Sequence, residues 1–150
     1  MIFIDTSVLS LAYRRRRRNA PEPKPVRVLR RLIIEDVPLA IPGIVLQEIP
    51  SGIRAQAQFD ELRRMLGSFP VAIAAERHRI VAARIANSCR RKGHAASTVD
   101  CLIAALATSN RDILFTLDDD FAKIATVCDL KLLSLDQVPY GAPASEQCAE

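Results

Sequence analysis

Four short stretches of the chain place a carboxylate where chemistry could be done. The four carboxylates are Asp5, Glu48, Asp100 and Asp118. Asp5 directly follows the apolar run 1–4, and Asp118 directly follows the strand-like run 113–117. Short apolar runs that alternate with helical patterns predict buried parallel strands. Because functional groups collect at the carboxyl ends of the strands in an open α/β sheet, these two carboxylates are predicted to be neighbours in space.

A pocket of clustered carboxylates requires a cation. These side chains offer only hard oxygen ligands, which suit Mg²⁺ or Mn²⁺ rather than zinc. A bound metal of this kind activates water and stabilises charge on a phosphoryl group, so phosphodiester hydrolysis is the reaction that the residues favour. The histidines, His78 and His94, match no metal-site or triad spacing, and neither is predicted to act as a base.

The elements that must position these carboxylates alternate along the chain. Apolar patterning predicts strands at residues 2–5, 37–41, 68–73, 113–116 and 131–135. It predicts helices at 6–13, 26–35, 55–66, 75–92, 97–110 and 118–127, with Thr6 or Ser7 as the cap of the first. A short or bent helix after Pro42 carries Glu48, with Pro50 close behind it. No repeat or linker is evident, which predicts one domain over 1–150, with a core over about 1–135 and a loose tail over 136–150.

Each carboxylate also has a purely structural interpretation. Asp5 could simply end a strand, and spacing alone favours Glu48 as a surface residue. Ser97 and Asp100 have the spacing of a capping box. However, residues 101–107 are apolar nearly all round, which predicts a buried helix and an Asp100 that is only partly solvated. The three aspartates at 118–120 exceed what one helix cap needs, so one of them is free to face the pocket.

Five consecutive arginines precede a proline-rich stretch. They are Arg14, Arg15, Arg16, Arg17 and Arg18, and prolines at 21, 23 and 25 predict an exposed loop. A phosphate-contacting arm and a merely solvated basic loop are equally consistent with this pattern. The net charge of +4 and the isoelectric point near 9.1 are compatible with a polyanionic partner without requiring one.

Composition excludes some protein classes. No apolar run is long enough to span a bilayer, and no basic segment precedes the first apolar run as in a signal peptide. The four cysteines form no CxxC pair and no zinc-like spacing. Small buried thiols in a reducing compartment are the simplest interpretation, so a cytoplasmic location is predicted.

Taken in order, the motifs resemble those of the PIN-domain ribonucleases. They are Ile4-Asp5-Thr6-Ser7-Val8-Leu9, Leu46-Gln47-Glu48-Ile49, Val99-Asp100-Cys101-Leu102-Ile103-Ala104-Ala105 and Thr116-Leu117-Asp118-x-Asp120-Phe121. Within that family they most resemble the VapC-type toxins of bacterial toxin–antitoxin pairs. The likeness runs from Met1 to about Leu135. It implies a three-layer α/β/α domain with a central, mainly parallel sheet of four to five strands.

The resemblance also implies a function and a site. It implies an endoribonuclease that depends on Mg²⁺ or Mn²⁺, with Asp5, Glu48, Asp100 and Asp118 as the catalytic quartet. Asp5, Asp100 and Asp118 would bind the metal. Hydroxyls of Thr6, Ser7 and Thr116 would orient these carboxylates, and Asp120 would be a further outer carboxylate. The implied partners are RNA, a cognate antitoxin protein and a second copy in a homodimer, with no membrane.

Two other classes of function stay open at this point. An aspartate-based phosphoryl-transfer domain also ends its first strand in Asp, but the second Asp of the dehalogenase type is replaced by Ser7, and the acidic pair of the receiver type is missing. A non-catalytic RNA- or protein-binding module with the same fold is the other alternative. The intact quartet argues against it, since clustered carboxylates cost stability without a metal.

Overall fold

A computed structural model describes residues 1–13 and 21–136. Its centre is a five-stranded sheet in the order β3-β2-β1-β4-β5, with every neighbouring pair parallel. The strands are β1 (Ile2–Ile4), β2 (Leu39–Pro42), β3 (Val71–Ala72), β4 (Ile113–Phe115) and β5 (Lys131–Leu132). The predicted parallel sheet is therefore confirmed.

Seven helices connect the strands in the described part of the chain. They are α1 (Thr6–Tyr13), α2 (Lys24–Ile34), α3 (Val45–Glu48), α4 (Gln56–Leu66), α5 (Glu76–Arg91), α6 (Thr98–Asn110) and α7 (Asp120–Ile124). None of them is long and apolar enough to cross a bilayer. The arginines at 14–18 and the tail at 137–150 lie outside the described residues.

Alternating side chains on the strands build two cores, one on each face of the sheet. In β1, Ile2 and Ile4 belong to the cluster that includes residues of α1, α2 and α4. Phe3 belongs to the opposite cluster, with residues of α5, α6 and α7. Successive strand side chains point to opposite faces, so a wholly apolar strand requires helices on both. The result is the predicted three-layer α/β/α arrangement.

The buried thiols lie in the second of these cores. Cys89 and Cys101 are almost fully buried and free, as predicted. Burial raises the pKa of Cys101 to about 11, with smaller effects from Cys89 and Asp100. At neutral pH Cys101 is thus a protonated, apolar packing residue.

Several predicted element boundaries were wrong for identifiable reasons. Pro42 does not open a helix: it ends β2 and pairs in register with Ala72 of β3. Pro42 is the last residue of β2 and lies beyond the pairs that this strand makes with β1, so a residue without an N–H is tolerated there. The predicted strand at 68–73 shortens to two residues, and the last helix begins at Asp120 rather than Asp118.

Candidate active site

The site is built around Asp5, where β1 ends. Its backbone N–H continues the sheet by donating to the Phe115 carbonyl at 2.9 Å. The residue is only 5% exposed. Its Oδ2 accepts hydrogen bonds from the Ser7 hydroxyl at 2.6 Å, the Ser7 amide at 3.3 Å and the Thr116 hydroxyl at 2.9 Å. Within residues 1–13 and 21–136 no group donates to Oδ1, so this oxygen is available to a further ligand.

Asp5 also caps α1, a role that the sequence pattern assigned to Thr6 or Ser7. The Leu9 amide donates to the Asp5 carbonyl at 3.3 Å, while the Ser7 amide donates to the Asp5 carboxylate. That carboxylate therefore lies at the positive end of the helix, where negative charge is stabilised. Because Asp5 serves as the cap, the Thr6 and Ser7 hydroxyls are available for other contacts.

The Ser7 and Thr116 hydroxyls join the ends of β1 and β4. Ser7 Oγ accepts from the Leu117 amide at 2.9 Å and lies 3.4 Å from Thr116 Oγ1. Thr116 Oγ1 accepts from the Asp118 amide at 3.0 Å. The segment after β4 is thus fixed against the first turn of α1, as neighbouring parallel strands make feasible.

Glu48 reaches this region from the short helix α3. Although its side chain is exposed, Glu48 Oε2 accepts a 2.7 Å hydrogen bond from the Thr6 hydroxyl, 42 residues away in sequence. Ile49 keeps helical dihedrals (φ −67°, ψ −46°) despite the proline that follows, so Pro50 does not distort the backbone at Glu48. Spacing alone favoured an unattached surface glutamate, whereas the fold gives it a specific partner.

Asp100 forms the predicted capping box at the start of α6. Its amide donates to Ser97 Oγ at 3.0 Å, and the Ser97 amide donates to Asp100 Oδ2 at 3.3 Å. The half-buried side chain also lines a cleft of about 490 Å³. The capping role and exposure to the cleft are therefore both present at this residue.

Of the three aspartates after β4, Asp120 is the one that lines this cleft together with Asp100. Asp118 is exposed, and its Oδ1 accepts from the Asp120 amide at 2.9 Å, which is local turn chemistry. Asp120 Oδ1 accepts a 2.5 Å hydrogen bond from Lys123. This bond, and then the charge of Asp120, raises the pKa of Lys123.

The fold thus brings the predicted residues together in two groups. One contains Asp5, Ser7, Thr116 and the Asp118 backbone, extended through Thr6 to Glu48. The other is the cleft shared by Asp100 and Asp120. Among the described residues, no three His, Cys, Asp or Glu side chains lie close enough together to hold a metal ion.

Two basic residues of the cleft were missed in the sequence. Arg90, at the end of α5, and His94 line it beside Asp100 and Asp120. In the sequence, Arg90 belongs to no motif, and His94 matches no metal-site or triad spacing. Gly93 was the available signal, since a left-handed cap turns the chain back between α5 and α6.

Comparison with solved structures identifies the same architecture. FitAcB from Neisseria gonorrhoeae superposes with a TM-score of 0.71 at 21% identity, covering 92% of this chain and 100% of that one. VapBC2 from Rickettsia felis, bound to a promoter DNA fragment, gives 0.71 at 20% identity, covering 89% and 98%. VapBC-1 from nontypeable Haemophilus influenzae gives 0.70 at 18% identity, covering 91% and 100%. At these identities the likeness establishes the fold.

The search of curated proteins gives no match to this sequence. The family model described as PIN domain does match, over residues 2–127, which include all four motif carboxylates and the whole sheet except β5. With that match over most of its length, the chain belongs to the PIN-domain family.

Proposed function

We propose that this chain is a metal-dependent endoribonuclease, and that it is the toxin component of a toxin–antitoxin pair. The observation that carries the proposal is the Asp5 centre. A buried carboxylate at the end of a central strand is held by two hydroxyls on one oxygen, while its other oxygen accepts from no described residue. Buried carboxylates of this kind call for a charged partner.

The donor set fits Mg²⁺ or Mn²⁺ in its chemistry. Asp5, Asp100 and Asp118 are the candidate ligands, and all three offer hard oxygen atoms. No three carboxylates of the described residues lie close enough together to bind one ion. We therefore infer that one or two of them bind it and that water and phosphate oxygens complete the coordination, as is usual for Mg²⁺. When bound, such an ion supplies an activated water and neutralises charge on the phosphoryl group.

The chain's own residues would orient these groups. The Ser7 and Thr116 hydroxyls fix the Asp5 carboxylate in one rotation. The Thr6 hydroxyl does the same for Glu48. Ser97 holds Asp100 at the first turn of α6 through two hydrogen bonds, one from the Ser97 amide to the Asp100 carboxylate and one from the Asp100 amide to the Ser97 hydroxyl.

The proposed partners follow from the relatives. Structures with this fold include a toxin–antitoxin complex from Klebsiella pneumoniae and a DNA-bound VapBC from Salmonella typhimurium. We propose a cognate antitoxin for this chain, and a homodimer. Apolar surface of α4 around Phe59 and Leu62 is a candidate for the dimer contact, but Leu62 is fully buried within the chain and cannot contribute to it. A strict monomer at micromolar concentration in light scattering would contradict the dimer.

One observation favours the alternative of a non-catalytic binding module. The carboxylates of the described residues fall into two groups rather than one cluster of three. In that case Asp5 and Asp100 would serve only as helix caps, the roles in which they also appear. This alternative predicts RNA or protein binding without cleavage, so an activity assay separates the two.

The test is metal-dependent cleavage of RNA by the purified chain, free of any antitoxin. Total RNA, tRNAs and structured fragments would be incubated with Mg²⁺, Mn²⁺ or EDTA, beside Asp5→Asn and Asp100→Asn. Asp60→Asn is the matched control, since Asp60 lies on α4 and bonds only Gln56 among described residues. We expect cleavage that needs the metal, disappears in the first two variants and persists in the control. No cleavage of any RNA would favour the binding module.

A further inference from the structure

The cleft that contains Asp100 and Asp120 also contains two basic residues from another element. Arg90 comes from the last turn of α5, and His94 from the loop that follows it. Asp100 comes from α6 and Asp120 from α7. Acidic and basic side chains from three helices and the loop after α5 therefore line one cleft of about 490 Å³.

Backbone geometry fixes the position of His94. Gly93 has a left-handed φ of +72°, its amide donates to the Arg90 carbonyl at 3.0 Å, and the His94 amide donates to the Cys89 carbonyl at 2.9 Å. These two bonds form a Schellman motif, which ends α5 and sets the direction of the next residue. Cys89 is buried in the core, so the motif is anchored there. His94 thus enters the cleft wall from a rigid turn.

Neither Arg90 nor His94 forms an ion pair or a short hydrogen bond with a described side chain. The Arg90 guanidinium donates once, to Asn87 Oδ1 at 3.1 Å, and forms no ion pair with a described carboxylate. A guanidinium has five N–H donors, so most of them stay available. The contact of His94 with the Thr126 hydroxyl is long, at 3.5 Å.

The neighbouring basic residues either have stronger partners or lie outside the cleft. Lys123 is bound to Asp120, and Lys92 donates to the Thr126 carbonyl at 2.8 Å. Arg91 makes the same kind of contact as Arg90, a single hydrogen bond to a neutral side chain (Ser88 Oγ at 2.9 Å), but it does not line the cleft. Because the helix dipole attracts all the basic residues of the last turn alike, the position in the cleft is what distinguishes Arg90 from Arg91.

We propose that Arg90 and His94 contact the phosphate backbone of the RNA and hold it against the acidic side of this cleft. The inference rests on the nuclease function proposed above. The phosphate backbone is repelled by Asp100 and Asp120, so a cleft that binds it needs fixed donors of positive or hydrogen-bonding character. Arg90 meets this need with several donors suited to phosphate oxygens. His94 adds a ring N–H donor, and both act as positioning residues.

The experiment compares Arg90→Gln and His94→Ala with Arg91→Gln. The last variant removes the same charge from the adjacent position, outside the cleft. For each, kcat and KM for cleavage of a labelled single-stranded RNA are measured in Mn²⁺ between about 50 and 200 mM salt, a range over which phosphate contacts weaken markedly. Thermal unfolding confirms that each variant is folded.

We expect Arg90→Gln to raise KM roughly tenfold, the low end for a lost hydrogen bond to a charged group. It should also flatten the slope of log KM against log salt by about 0.7, the share of one phosphate contact with a single strand. His94→Ala should raise KM by a smaller factor, and Arg91→Gln should match the unsubstituted chain.

Equal behaviour of Arg90→Gln and Arg91→Gln, with cleavage intact, would overturn this inference and leave the nuclease function standing. A fall in kcat at unchanged KM and unchanged salt slope would also overturn it. If the unsubstituted chain cleaves no RNA, the nuclease function fails first and the inference falls with it.

Discussion

Replacing Ser7 by Ala removes the hydroxyl that ties Asp5 to the end of β4. That hydroxyl donates to Asp5 Oδ2 at 2.6 Å and accepts from the Leu117 amide at 2.9 Å. The substitution leaves the apolar packing of α1 untouched, because Val8 and Leu9 supply its buried surface. The change in unfolding free energy therefore measures the contribution of the hydrogen bonds that the Ser7 hydroxyl makes.

The lost hydrogen bonds should cost about 2 kcal/mol of unfolding free energy before the helix propensity of alanine is counted. A hydrogen bond to a charged group contributes about 1.5 to 3 kcal/mol. Leu117 is exposed, so water replaces its lost acceptor at little further cost. Alanine returns about 0.5 kcal/mol through its higher helix propensity, and this gain must be subtracted.

Urea denaturation of Ser7→Ala and Ser10→Ala measures the difference. Ser10 lies one turn further along α1 and has no hydrogen-bond partner for its hydroxyl among the described residues, so its substitution carries only the propensity gain. We expect Ser7→Ala to be less stable than Ser10→Ala by about 2 kcal/mol. Equal stabilities, within about 0.5 kcal/mol, would refute the view that these hydroxyls hold a buried carboxylate anion.

Three further predictions concern residues around and beneath the site. Thr6→Val removes the exposed 2.7 Å hydrogen bond to Glu48 and should lower the free energy of unfolding by less than about 1 kcal/mol. It should nevertheless lower metal-dependent kcat/KM about tenfold, because Glu48 loses the group that orients it. An unchanged kcat/KM would contradict this role of Thr6. Burial, and then the charge of Arg77, lowers the pKa of His78, so the unfolded chain takes up a proton before the native one does as pH falls below about 6.5. The melting temperature should therefore drop by a few degrees between pH 7.5 and 5.5, and an equal drop in His78→Gln would contradict this. Iodoacetamide at pH 8 should label Cys101 only after unfolding in urea, since the thiol is buried and its pKa is about 11; peptide mapping that finds it labelled in the native protein would contradict the prediction.

Most of the fold could be predicted from the sequence because local and global signals agree. The runs 1–4 and 113–117 are apolar on both faces, which only a sheet covered on both sides satisfies. Gly93 and Ser97 mark the end of α5 and the start of α6. Pro42 was misassigned because a proline suits both a helical first turn and the last residue of a strand, and pairing across the sheet decides between them.

The site was less predictable, because its contacts join residues far apart in sequence. The bond from Thr6 to Glu48 spans 42 positions, and that from Thr116 to Asp5 spans 111. No local sequence pattern distinguishes Asp118 from Asp120 either. Asp120 lines the cleft and Asp118 does not because of the path that the chain takes after β4. Arg90 and His94 were not predicted to line the cleft for the same reason, since neither belongs to a motif.

The central claim is that Asp5 and Asp100 contribute to one cation site. The most direct measurement is Mn²⁺ binding by titration calorimetry to the unsubstituted chain, Asp5→Asn, Asp100→Asn and the control Asp60→Asn. We predict one saturable binding event that weakens at least tenfold in the first two variants and is unchanged in the control. Absence of Mn²⁺ binding, or binding that is unaffected in Asp5→Asn, would contradict the account and leave these carboxylates as helix caps.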